Sequence, residues 1–70
     1  KASFVLTEFQ GKIYISARAI DEVNVQIIME RLGGGGHQNI AGAQLADMTM
    51  SEAINKLKEV LTKMTEEGAI

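Results

Sequence analysis

Four consecutive glycines, Gly33, Gly34, Gly35 and Gly36, run directly into the single histidine of the chain, His37. Adjacent glycines carry a backbone-entropy cost that a simple turn does not require. Their missing side chains let a ligand come close to the backbone, and successive N–H groups in such a turn can form a nest that hydrogen-bonds phosphate oxygens. The N–H groups of Gly35, Gly36 and His37, opening a short turn through Asn39, are expected to supply that attraction. Two better-known glycine motifs do not match. The run lacks the Gly-Lys-Ser/Thr ending of a Walker loop, and a helical pattern instead of a strand precedes it. Taken alone, the glycines fit a flexible connector better than a pocket.

Neighbouring side chains bear on that choice. His37 can donate to a phosphate or hydrogen-bond a base, and equally can be a solvent-exposed loop histidine. It is a poor metal ligand, because no second histidine and no cysteine accompany it. Arg18 carries the planar fork that grips phosphate at two points. The competing reading pairs it with Asp21 or Glu22 at a strand end. Asn39 and Gln38 can read a base or cap the loop. No catalytic set emerges, since the carboxylates are scattered and no Ser or Thr has a base at useful spacing. By itself the chain is expected not to be an enzyme, with no catalytic residue and no metal ligand.

The elements that must position these residues are legible from periodicity. Ala2 to Gln10 is rich in strand formers, and Gly11-Lys12 leads into Ile13-Tyr14-Ile15, which predicts a hairpin turning near Gly11. Alternation puts Ile13, Ile15 and Ala17 on one face and Lys12, Tyr14, Ser16 and Arg18 on the other. Val25, Ile28, Met29 and Leu32 follow a helical period, with Asp21 or Asn24 able to cap the start and Gly33 to stop it. Ile40 to Leu45 predicts a third strand, with Ala41-Gly42-Ala43 weak enough for part of it to be a tight turn. Thr49 and Glu52 form a T-x-x-E capping box, followed by an apolar stripe of Ile54, Leu57, Leu61 and Met64 and an end near Gly68. Glu59 and Lys63 are spaced to support each other on its solvated face. The order β-β-α-β-α predicts an α+β fold, a small mixed sheet with both helices on one face.

Seventy residues allow one small domain of modest core, for which a partner or a further segment is plausible. The chain starts at Lys1 without an initiator Met, so an internal piece with sequence upstream is expected. Seven basic against nine acidic side chains, mixed along the chain, argue against a polyanion-binding stripe but leave room for a small phosphate ligand. The absence of cysteine excludes a disulfide framework and fits a cytoplasmic setting. No apolar run approaches the roughly 20 residues that span a bilayer.

Ile15-Ser16-Ala17-Arg18, Asn24-Val25, the block from Leu32 to His37 and Ala41-Gly42-Ala43 together resemble the C-terminal DHH-associated domain of the DHH phosphoesterase family. The stretch from Val23 to Leu45 looks most like the cyclic-di-AMP phosphodiesterases within it. The resemblance implies that residues 1–70 are the C-terminal part of such a substrate-binding domain. It further implies a separate N-terminal DHH lobe with two manganese ions, where catalysis occurs. Carried over position by position, it implies substrate contacts at Arg18, Gly34, Gly35, Gly36 and His37, with Ser16 and Asn39 as weaker members and none of them a metal ligand. The expected ligand is a cyclic dinucleotide or short oligonucleotide. The whole protein can be membrane-anchored, with this domain on the cytoplasmic side. In one respect the chain departs from the family: Ile40-Ala41-Gly42 stands where many relatives have Ala-Ala-Gly. Two competing readings are the same lobe of an oligoribonuclease or single-strand exonuclease, and an interaction module whose sheet edge mediates homodimer formation.

Overall fold

The alternating residues of the first third of the chain build a hairpin, and everything else is arranged around its second strand. The computed structural model describes residues 2–20 and 23–70. Strands β1 (Ala2–Phe9) and β2 (Lys12–Ala19) pair in antiparallel register from Ala2↔Ala19 to Phe9↔Lys12. The turn between them is Gln10-Gly11, with φ of 51° and 77°. Two successive residues of positive φ make the tight hairpin connection whose twist matches that of the strands.

Helix α1 (Val25–Arg31) follows, then the two-residue strand β3 (Gly35–Gly36), strand β4 (Ile40–Ala46) and helix α2 (Met50–Glu66). The sheet order is β1-β2-β4-β3, and every neighbouring pair is antiparallel. The α+β class and the two helices are as expected, but the sheet is not mixed. β3 does run parallel to β2, as a strand-helix-strand crossover requires, yet β4 folds back between them and leaves no parallel neighbours. Ile40 to Leu45 is thus the expected strand along its whole length, and the small residues Ala41-Gly42-Ala43 do not break it into a turn.

The core lies on one side of the sheet. Ile13, Ile15 and Ala17 of β2 and Ala41, Ala43 and Leu45 of β4 are buried, facing Val25, Ile28 and Met29 of α1 and Ala53, Leu57 and Met64 of α2. Small side chains at Ala41 and Ala43 admit α1, whose main packing partner is β4. The opposite face carries Ser16, Arg18, Gln44 and Ile40, all exposed, and no element among the described residues covers it. α2 begins with the expected capping box: the Glu52 N–H donates to Thr49 Oγ1 at 3.1 Å, and the Thr49 N–H donates to Glu52 Oε1 at 2.8 Å. Its buried stripe is displaced from the one expected. Ala53 is buried in the core and Ile54 is 37% exposed, so the helix is rolled to turn the smaller residue inward. Among the described residues no helix is long and apolar enough to cross a membrane.

Candidate functional site

The course of the glycine run follows from how α1 ends. Asn24 Oδ1 caps the start of the helix, accepting from the N–H groups of Gln26 at 3.0 Å and Ile27 at 3.4 Å. Asp21, the other candidate cap, lies outside the described residues. At the far end the Gly33 N–H donates to the Glu30 carbonyl at 3.1 Å and the Gly34 N–H donates to the Met29 carbonyl at 2.8 Å. With Gly33 at φ 85°, these two bonds form a Schellman cap, a termination that favours glycine because the left-handed conformation crowds a Cβ.

Beyond the cap, the run turns into the sheet. Gly35 pairs with Gly42 and Gly36 with Ala41. A Cβ on Gly34 would stand 2.0 Å from the Gly42 carbonyl oxygen, and one on Gly36, at φ 141°, would stand 2.6 Å from the Ala41 Cα. Three of the four glycines are therefore required by the fold itself. Gly35 is different: a Cβ there would meet nothing within 4 Å, and its backbone has no positive φ.

The N–H inventory differs from a nest of free donors. Those of Gly33 and Gly34 are bound to the end of α1, and the His37 N–H donates to the Ile40 carbonyl at 2.7 Å. The chain then tightens through Gln38 and Asn39, whose carbonyls accept from Val25 at 3.1 Å and Ala19 at 2.9 Å. Asn39 thus anchors the loop to the end of β2 through its backbone, and its side chain is exposed.

Arg18 and His37 sit on either side of Ile40. Arg18 is its Cα partner across the β2–β4 ladder, and His37 bonds its carbonyl from the other side. Both are exposed. Ser16 is on the same face of β2 as Arg18, about 7 Å along the strand, and is the Cα partner of Gly42. The sheet thereby gathers Ser16, Arg18, Gly35 and His37 toward one corner of its uncovered face. The alternative pairing of Arg18 with Asp21 or Glu22 falls on residues outside the described ones.

Next to this corner is a shallow cleft of 560 Å³, lined on its open side by Tyr14, Ser16, Gly42 and Gln44 and at its edge by Gly33 and Gly34. Of the expected substrate contacts only Ser16 and Gly34 line it. Tyr14 was on the correct face by alternation, whereas Gly42 and Gln44 require β4 to be read as a continuous strand. Among the described residues no group of three or more His, Cys, Asp or Glu side chains is gathered to hold a metal ion.

In class, this is a one-sided α+β unit whose candidate site occupies the uncovered sheet face and its glycine edge. The chain belongs to the DHHA1 domain family, whose model matches residues 1–67. It is 52% identical over 68 residues to the cyclic-di-AMP phosphodiesterase GdpP of Geobacillus thermodenitrificans, covering 96% of this chain and 10% of that protein. It is 52% identical over 58 residues to the cyclic-di-AMP phosphodiesterase PdeA of Listeria monocytogenes, covering 81% and 9% respectively. To GdpP of Bacillus subtilis it is 46% identical over 69 residues, covering 97% and 10%. The chain spans about a tenth of the length of these relatives.

Proposed function

We propose that this chain is the phosphate-gripping lobe of a phosphodiesterase that opens cyclic-di-AMP to the linear dinucleotide, with the reaction itself carried out on a separate DHH lobe. The observation that carries this reading is Gly35. Its three neighbours have structural reasons to be glycine, and it has none, although a side chain there would cost the fold little. A ligand that must lie against the backbone at that point supplies the missing reason. Arg18 offers a bidentate charged contact to a phosphodiester, His37 a ring N–H, and Ser16, two residues along β2 from Arg18, a hydroxyl. By holding the phosphate in one orientation, these groups turn an encounter into an aligned attack.

Manganese, in this proposal, belongs to the DHH lobe. Two such ions about 3.5–4 Å apart polarise a phosphodiester and lower the pKa of bound water. The described residues of this chain offer no cluster that fits one, so no step is assigned to a metal here. The proposed setting is cytoplasmic. An oligoribonuclease or exonuclease role is disfavoured by the net charge of −2, since a longer nucleic-acid strand calls for a track of basic side chains.

A second reading is favoured by one observation: β1 is an eight-residue outer strand with Val5 62% and Phe9 59% exposed, a surface suited to strand pairing in a homodimer. NMR titration with cyclic-di-AMP, its linear product and AMP separates the two. Shifts centred on Ser16, Arg18 and residues 33–39, abolished in Arg18→Ala and Gly35→Val but not by dilution, support the phosphate lobe. A loop silent at millimolar ligand, together with a concentration-dependent mass, supports the interaction module.

A further inference from the structure

The cleft on the uncovered face adjoins the phosphate corner at Ser16 and Gly34, and its far end has a different chemistry. Tyr14 and Gln44 are direct Cα partners across the β2–β4 ladder and lie on that face. Both line the cleft. Two residues along the strands toward Arg18, the next pair on this face is Ser16 and Gly42, where the absent side chain leaves the cleft a floor of backbone. Counting along β2, Tyr14 stands about 14 Å from Arg18. The surface therefore has a cationic end, a bare middle and an end made of one aromatic ring and one amide.

That sequence of chemistries is the one a nucleotide presents, with its phosphate and base at opposite ends of a sugar. The half-buried Tyr14 supplies an aromatic face on which a base can stack, a contact tolerant of base identity. Gln44 supplies discrimination. A side-chain amide holds one acceptor and one donor side by side, matching the N6 amino group and N7 of adenine. Guanine and hypoxanthine present O6 and N7 on that edge, two acceptors, which a single amide cannot satisfy together. Among the described residues no charged side chain lines the cleft, which suits a neutral base better than a charged group.

We infer that Tyr14 and Gln44 form an adenine-recognising end of the cleft, Tyr14 by stacking and Gln44 by pairing with the N6–N7 edge. This rests on the proposed phosphate corner for the orientation of the ligand, but not for its own contacts.

The test is an NMR titration of the 70-residue chain with AMP, IMP, ribose 5-phosphate and adenosine, each variant first checked for a dispersed spectrum. AMP is expected to shift Tyr14 and the Gln44 side-chain amide together with Gly35, and to bind about tenfold or more tightly than IMP. Ribose 5-phosphate is expected to shift Gly35 and Arg18 alone. Gln44→Ala lowers AMP to the affinity of IMP while leaving ribose 5-phosphate unchanged, and Tyr14→Phe retains AMP binding that Tyr14→Ala weakens. Equal affinity for AMP and IMP, or an AMP preference that survives Gln44→Ala, overturns the inference. Silence of Tyr14 and Gln44 toward both AMP and adenosine also overturns it. Adenosine shifts at Tyr14 and Gln44 with ribose 5-phosphate silent would keep the base site and instead remove the phosphate corner.

Discussion

Gly34 and Gly42 approach so closely that a Cβ on the first would stand 2.0 Å from the carbonyl oxygen of the second. The neighbouring atoms, Ala43 Cα and Cβ at 2.7 Å, belong to a central strand and have no room to retreat. Gly34→Ala is therefore expected to destabilise the chain by about 3 kcal/mol or more, the upper end of what overpacking costs, since backbone must shift. Denaturant unfolding measures this. A midpoint unchanged from wild type would mean that the edge of the sheet yields more readily than its packing suggests.

Gly35→Ala makes the opposing case. With open space around the added methyl and no positive φ, its unfolding free energy is expected to stay within about 0.5 kcal/mol of wild type. Nucleotide binding, in the proposed function, falls in the same protein. Loss of stability in step with loss of binding would show that Gly35 is structural like its neighbours.

The capping box of α2 gives a third expectation. Thr49→Ala removes the acceptor for the Glu52 N–H and is expected to cost about 1 kcal/mol. Thr49→Ser, which keeps the oxygen, is expected to retain most of it. Thermal melts of the two variants distinguish loss of the cap from loss of the threonine methyl.

Acid should reveal the link between the helix ends. Arg31 Nη1 and Nη2 donate to the Glu67 carboxylate at 3.2 and 2.5 Å, joining the end of α1 to the end of α2. Hydrogen bonding to Arg31, and then the charges of Arg31 and Lys63, hold the Glu67 carboxyl below its ordinary value. A depressed carboxylate stabilises the fold above its unfolded pKa and loses that contribution as pH falls through the folded one. The stability difference between wild type and Glu67→Gln is thus expected at neutral pH and should close below the ordinary carboxylate range. It should be small, as both side chains are well exposed. A difference that persists into strong acid would assign the effect to something other than this ion pair.

Core truncation supplies the last expectation. Met64 is fully buried although it lies in the last turns of α2. Met64→Ala is expected to cost about 2–5 kcal/mol, whereas Ile54→Ala, on the flank of the same helix, should cost much less. Denaturation curves with similar midpoints for the two would contradict the packing of α2 described above.

The hairpin, both helices and the capping box were legible because each is encoded locally, by alternation, by a 3.6-residue period or by one cap residue. β3 was not, since two glycines have no strand preference and become a strand only by pairing with Gly42 and Ala41. The weak look of Ala41-Gly42-Ala43 had the same origin: small residues are poor strand formers alone, but here they let α1 and the glycine run pack against β4. Local spacing also suggested Glu59 and Lys63 as the supporting pair of α2, whereas the ion pair formed among the described residues joins Arg31 to Glu67, 36 positions apart. At the site, alternation put Ser16 and Arg18 together on one face. Gln44 depended on β4 and went unseen. The separate duties within the glycine run were hidden as well, because four identical residues carry no mark of which one the fold can spare.

All the buried side chains of the sheet lie on one of its faces, while Tyr14, Ser16, Arg18 and Gln44 lie on the other. This divides the molecule into two compartments of mutational risk. Changes on the covered side act through abundance, whereas changes on the bare side leave the folded population almost intact. A lineage carrying this domain can therefore vary the chemistry of the bare face by drift at a few strand positions, without first acquiring a stabilising change elsewhere.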